Sequence, residues 1–336
     1  MPVLLASAKR DVPSKLRGIV FFVIAMAGAC ALAPAAAAGE SAPAGALGAG
    51  THTLQLSHDG QQRKYLLHIP AGYDPARPAP LVLAFHGGGG HAEFMADEAR
   101  YGLVGKAERA GFVVVFPNGY SRFPGGKFAT WNAGGCCGNA RDRGVDDVGF
   151  VRALVARVQS QVSIDGARVF ATGMSNGGML AHRLACEAPD VFRAVASVAG
   201  TDATSRCAPS RPASVLHIHA RNDTHVLFTG GAGEDAFRDA TKVMDFVSVP
   251  ETVARWVKRN QCAPAPRRLL DRPGAYCEAY SGCAGGVSVQ LCVTEGGGHS
   301  WPGAKTVRRG KEAASAALDA NDAIWDFFTR ASRPGT

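Results

Sequence analysis

Ser175 lies in TGMSNGGML, residues 172–180, with glycine two positions to either side. A G-x-S-x-G run marks a nucleophile elbow, a sharp strand-to-helix turn that exposes the serine hydroxyl. In a chain with 41 glycines the pattern alone is weak. Its surroundings strengthen it, because the strand-like RVFATG precedes the serine and the helical NGGMLAHRLACE follows. Glycine at 173 and 177 suits a turn so tight that a Cβ would meet neighbouring backbone.

A serine hydroxyl is a poor nucleophile at neutral pH and needs a base, which in turn needs an orienting carboxylate. In an elbow architecture both follow the serine in chain order. Four histidines follow it beyond its own helix: His217, His219, His225 and His299. His299, in the loop TEGGGHSWPG between the last predicted strand and the closing helix, is the expected base. Asp223, in RNDTHV after the second strand beyond the serine, is the expected acid. Asp202 is the runner-up, read as a loop-capping residue.

An oxyanion developing on the substrate needs backbone N–H donors. The expected donors are Asn176, next to the nucleophile, and Gly88, in the turn after LVLAFHGGGG, with Gly87 close behind. That glycine run lacks the lysine of a phosphate-binding loop. Trp131 and Trp301 fit either the core or the wall of the substrate cleft, and lining is the reading carried forward. His217 and His219 share a strand face but no further ligand spacing completes a metal site, so they read as core. Asp146 and Asp147 open an amphipathic helix, where carboxylates favour the positive end of the dipole.

The elements that must position these residues alternate along the chain. After a hairpin, THTLQLSH and QRKYLLHIP around DGQ, strand-like runs appear at PLVLAFHG, GFVVVFPNG, RVFATG, AVASVAG, SVLHIHA and VSVQLCVTE. Helical patterns occupy 92–110, 145–161, 176–187 and 250–260, and LDANDAIWDFFTR closes the chain. Apolar strands separated by helices imply one α/β domain, with a mostly parallel sheet covered on both faces.

Residues 1–39 read as a signal peptide: Lys9, Arg10, Lys15 and Arg17, then the 16-residue apolar run GIVFFVIAMAGACALA, then small residues ending near Ala38. Lipid attachment at Cys30 is the weaker alternative. Residues 40–50 read as a linker and 51–332 as the catalytic domain, exported to the periplasm or the medium. With the leader gone the net charge falls from +8 to +5, and no run of five like charges remains. This argues against a nucleic-acid partner. No long apolar segment follows the leader, so no membrane association is expected after cleavage.

Eight cysteines remain, an even number that suggests disulfides in an exported chain. Cys277 and Cys292 are equidistant from a glycine-rich turn and could face each other across a hairpin. Cys262 with Cys283 and Cys186 with Cys207 would then close short loops, leaving Cys136 and Cys137 as neighbours.

Six ordered motifs, LVLAFHGGGG, TWNAGGCCG, VDDVGFVRALV, GMSNGGMLAHRLACE, LHIHARNDTHVLFTGG and GGGHSWPG, carry a resemblance. Over about residues 50–330 the chain resembles the polyhydroxybutyrate depolymerase family of exported esterases, which is similar to feruloyl and acetylxylan esterases. The resemblance implies an α/β-hydrolase fold and ester hydrolysis through Ser175, Asp223 and His299, with no metal or organic cofactor. It also implies that Cys136 and Cys137 belong to a disulfide-braced loop near the active site, paired with each other or with Cys186 and Cys207. HARNDTH departs from the family's small-residue HGTxD pattern, making that loop bulkier and more basic. The 13 residues 200–212 leave no room for a large lid at that point, and an open cleft would suit a bulky or oligomeric ester. The chain ends just past its closing helix, so no polymer-binding module is expected. An acyltransferase with the same triad, or a non-catalytic binding protein on this fold, are the rival readings.

Overall fold

The computed structural model describes residues 47–236 and 245–332. The expected signal peptide, Cys30 with it, and most of the 40–50 linker lie outside these residues. A single ten-stranded sheet runs through the described chain. Its parallel centre consists of β3 (Ala79–Phe85), β4 (Val113–Pro117), β5 (Ile164–Met174), β6 (Ala194–Val198), β7 (Ser214–Ala220) and β10 (Val289–Thr294). Antiparallel ribbons finish both edges: β1 (Gly50–His58) with β2 (Gln61–Ile69), and β8 (Arg267–Arg272) with β9 (Ala275–Tyr280). The order across the sheet is β1-β2-β4-β3-β5-β6-β7-β10-β9-β8.

The central strands are apolar throughout because both faces are covered. On β3, Leu81, Leu83 and Phe85 point into one core with Val148, Leu154, Leu180 and Trp256, while Val82 and Ala84 point into a second with Leu103, Ile324 and Phe328. The first core is roofed by α4 (Asp147–Gln159), α5 (Asn176–Glu187) and α6 (Val249–Arg259). The second is roofed by α1 (Ala92–Met95), α2 (Leu103–Ala110) and α7 (Ala320–Ala331). A one-turn helix, α3 (Gly138–Asp142), follows the adjacent cysteines.

Two elements depart from the sequence reading. The expected helix over 92–110 is two helices, because Asp97 Oδ1 accepts the amides of Ala99 and Arg100 and Gly102 takes a left-handed conformation with φ 63°. Strand β8, RRLLDR, escaped notice because its residues are almost all exposed, and a charged edge strand carries no buried alternation.

The disulfides are Cys277–Cys292, Cys262–Cys283, Cys186–Cys207 and Cys136–Cys137. The first joins residues directly opposite on β9 and β10. Of the two pairings the resemblance left open, the structure has Cys136 with Cys137 and Cys186 with Cys207.

Candidate active site

Ser175 sits between β5 and α5 with φ 54° and ψ −121°, a conformation an L-residue keeps only when its surroundings over-determine it. Here the surroundings are backbone. The Ser175 amide donates to Val198 O at 2.7 Å. A Cβ on Gly177 would collide with Phe85 O, one on Gly173 would lie 2.5 Å from Gly177 O, and one on Gly200 would collide with Ser175 O. Gly200, on the loop after β6, is therefore a third glycine the turn depends on, although it lies outside the motif.

Asp223 follows β7 and His299 follows β10, neighbouring parallel strands, so both side chains emerge at the same carboxyl end of the sheet. His299 Nδ1 lies 2.8 Å from Asp223 Oδ2. Asp223 Oδ1 accepts the amides of His225 (2.7 Å) and Val226 (3.0 Å), and His219 Nε2 lies 3.3 Å from Oδ2. Burial alone would raise this carboxyl, but His299 and His219 beside it hold it well below the usual carboxylate range. An ionised Asp223 accepts only, so the His299 proton sits on Nδ1 and Nε2 is left as a base. His225 stacks on His299 with centroids 4.5 Å apart and planes 11° from parallel. Burial, with His299 alongside, lowers His225 to about 4, so that ring is neutral at neutral pH.

Ser175 and His299 line one cavity of about 680 Å³, together with Gly87, Gly88, Asn176, Tyr101 and Trp301. No hydrogen bond joins Ser175 Oγ to His299 among the described residues. Such contacts are often long without substrate and tighten when it binds.

The glycine turn after β3 packs on the nucleophile: a Cβ on Gly87 would lie 3.4 Å from Ser175 Cβ. The Gly89 and Gly90 amides are taken, by Ala129 O (2.8 Å) and Gly87 O (3.0 Å). The Gly88 amide has no partner among the described residues, and Asn176 opens α5, where helical amides lack internal acceptors. These two amides are the expected donors. Both are braced by Trp131. Its Nε1 donates to His86 O (3.0 Å), while its backbone N–H donates to the Asn176 side-chain Oδ1 (2.7 Å) and its backbone C=O accepts from Asn176 Nδ2 (3.0 Å).

That bracing corrects one expectation. Trp131 is fully buried and forms no part of the cavity wall; it packs edge-on against Phe85 beneath the oxyanion turn. Trp301 does border the cavity, its ring edge-on to Tyr101 and its Nε1 donating to Asn321. Asp202 pairs with Arg259 at 2.6 Å and accepts the Thr204 amide, a structural role. Asp146 caps α4 by accepting the Gly149 amide. Asp147 does more than favour a helix dipole: it is buried, bonds Arg63 at 2.8 Å and accepts the Asn132 amide next to Trp131. Cys137 borders the cavity and Cys136 Sγ lies 3.9 Å from Asn176 Nδ2, so the adjacent cysteines do flank the site.

Three contributors escaped the sequence reading. Asn222 Nδ2 donates to Glu312, its Oδ1 accepts the Gly298 amide, and Glu312 accepts the Gly297 amide. The pair ties the acid loop to the base loop, so the bulkier HARNDTH sequence has a positioning use. The third is His219, on the strand before the acid. Asp223, His225 and His299 also place ligand-type atoms within 4.8 Å of one another, as a metal would require. The Asp223 oxygens there are already engaged by the four donors above.

The family model described as Esterase PHB depolymerase matches residues 63–235, slightly more than half of the chain. Feruloyl esterase B of Piromyces equi is 31% identical over 246 residues, covering 71% of this chain and 42% of that enzyme. Putative esterase NocK of Nocardia uniformis subsp. tsuyamanensis is 34% identical over 257 residues, covering 73% of this chain and 72% of the relative. The chain thus spans less than half the length of the Piromyces enzyme. Among solved structures, acetyl xylan esterase from Aspergillus awamori aligns with a TM-score of 0.55 at 15% identity, over 83% of this chain and 99% of that one. That likeness supports the α/β-hydrolase fold. With a family model over half its length and relatives above 30% identity, the chain belongs to the esterase PHB depolymerase family, a family of carboxylic ester hydrolases.

Proposed function

We propose that this protein is an exported serine carboxylesterase working through Ser175, His299 and Asp223. The observation that carries the reading is the 2.8 Å Asp223–His299 contact on a cavity that Ser175 also lines. His299 Nε2 takes the Ser175 proton as Oγ attacks the ester carbonyl, and returns it to the leaving alcohol. The Gly88 and Asn176 amides stabilise the oxyanion, and water, activated by the same imidazole, releases the acid. No step calls for a metal or an organic cofactor.

For substrate, the reading is a hydroxyalkanoate oligoester, in keeping with the family and with a cavity roomy enough for more than one short unit. A second reading, a feruloyl-type aryl ester, is favoured by the aromatic wall of Phe94, Tyr101, Trp301 and Phe246 and by the feruloyl esterase among the relatives. Initial rates on soluble 3-hydroxybutyrate oligomers and on methyl ferulate decide between them, with Ser175→Ala as the blank. Faster oligomer hydrolysis supports the first reading, and faster ferulate hydrolysis replaces it with the second. Ser175→Ala should lose about 10⁴-fold or more in kcat and all labelling by a serine-directed fluorophosphonate. Undiminished turnover in that variant would refute the triad. Export is checked by the mass of the protein recovered outside the cytoplasm, which should lack residues 1–39.

A further inference from the structure

Three buried histidines lie in a line that ends on the proposed catalytic acid, and the esterase mechanism uses none of them. Trp256 Nε1 on α6 lies 3.0 Å from His182 Nδ1 on α5. His182 Nε2 lies 3.3 Å from His217 Nδ1, and His217 Nε2 lies 3.0 Å from His219 Nδ1, both on β7. His219 Nε2 then reaches Val226 O at 2.8 Å and Asp223 Oδ2 at 3.3 Å. Trp256 and the three histidines are each at most 1% exposed, so water does not compete for these atoms.

The direction of every hydrogen bond in this line follows from its two ends. An indole N–H only donates, so His182 Nδ1 must accept and its proton sits on Nε2. The His182 proton makes His217 Nδ1 an acceptor, which places the His217 proton on Nε2, and the same step repeats at His219. At the far end stand a carbonyl and a carboxylate, which only accept. All three rings therefore carry their proton on Nε2, and burial, which lowers His182 to about 4 and His217 well below its ordinary value, agrees.

We propose that Trp256, His182 and His217 form a tautomer-setting relay whose output is His219, a positioning residue that presents an N–H to Asp223. His219 with its proton on Nδ1 would turn a lone pair towards the carboxylate and repel it. The relay makes that state costly, because the flip would have to pass back through two more rings to a donor that cannot reverse. Asp223 Oδ2 is thereby held between His219 and His299 while Oδ1 is held by two amides. The consequence for catalysis rests on the triad reading; the tautomers do not.

The test has two parts that fail separately. In the first, ring ¹⁵N shifts of the intact protein are followed from pH 5 to 9. Three histidines should show a protonated Nε2 and a bare Nδ1 at neutral pH, each assigned by loss of its signal in single histidine variants, and His182 and His217 should hold that state across the range. Trp256→Phe should send at least one of them to the other tautomer. A ring with its proton on Nδ1 at neutral pH overturns the relay whatever the activity. The charged groups facing the line are Asp202 and Arg259 near His182, and Asp223 near His219, with the titratable rings of His299 and His225 beyond it.

In the second part, His219→Leu, which removes the donor, is compared with His219→Gln, which keeps an N–H near the position of Nε2. The leucine variant should lose about tenfold or more in kcat with KM within twofold, and the glutamine should restore kcat to within about threefold of the parent. Loss of the donor leaves Asp223 a stronger partner for the His299 imidazolium, so the acid limb of kcat/KM should move to higher pH in the leucine variant only. Equal losses in both variants with an unmoved acid limb would reduce His219 to a packing residue. Fluorophosphonate labelling of the parent comes first: no label at Ser175 sinks the triad reading, while the tautomer result stands or falls alone.

Discussion

The proposed nucleophile and the proposed base–acid pair are held beside one cavity by opposite means. Ser175 is held by backbone: three glycines, at 173, 177 and 200, let chain segments approach closer than any Cβ would allow, and Val198 O takes its amide. Asp223 and His299 are held by polar side chains and loop amides across 76 residues of sequence, through His219, Asn222, Glu312 and the His225 and Val226 amides. A sterically held group has no intermediate positions, because moving it means a clash. A hydrogen-bonded group can be weakened by degrees and responds to pH. The two ends of the triad should therefore fail differently.

The sharpest contrast comes from Asp223→Asn. The amide can still accept from His225 and Val226 through its oxygen, so the loop should fold, but its N–H₂ would oppose the His299 proton and favour the wrong tautomer. We expect kcat to fall by about 10⁴-fold with the melting temperature little changed, read by burst kinetics and calorimetry. Gly200→Ala should behave in reverse. A methyl driven against Ser175 O should cost roughly 3 kcal/mol of stability in chemical unfolding, and activity should be lost only in step with the folded fraction or with displacement of the serine. If Gly200→Ala leaves stability intact, the steric account of the elbow is wrong.

Buried histidines on both sides also predict a pH response of the fold as a whole. His86, His182 and His225 are lowered to about 4 when folded, and His217 is also held well below its ordinary value, chiefly through burial, against about 6.5 for an open chain. Between those values the unfolded chain binds more protons than the folded one, so stability must fall as pH drops from about 6.5 towards 4. We expect the melting temperature to decline by roughly 10 °C over that window, before most carboxylates titrate. A flat profile down to pH 4.5 would mean these rings are charged or wet. The smallest effect belongs to the oxyanion turn: Trp131→Phe removes one hydrogen bond to His86 O, for about 1 kcal/mol of stability and a few-fold loss in kcat.

The proposed triad of Ser175, Asp223 and His299 could be named before any coordinates, because each sits where an apolar run ends and a glycine-rich or polar loop begins. The parallel sheet was legible for the same reason: SVLHIHA is β7 to the residue, and NGGMLAHRLACE is α5. Trp131 was misplaced because an aromatic in an irregular loop gives no periodicity from which to judge its facing. Glu312 gave no signal at all, since its contact to Asn222 spans 90 residues of sequence.

The sequence by itself determined most of the strand and helix order and the strand-turn-helix setting of Ser175, and pointed to the proposed chain order of the triad and to three short disulfide loops, because these follow from local sterics and from spacing along the chain. Only the tertiary structure decided that Gly200 belongs to the elbow, that Trp131 braces the oxyanion turn from below, that Asn222 and Glu312 tie the two catalytic loops, and that three histidines from two elements form one line. Such contacts depend on which strands become neighbours, and crossing distances between parallel strands leave no trace in local periodicity.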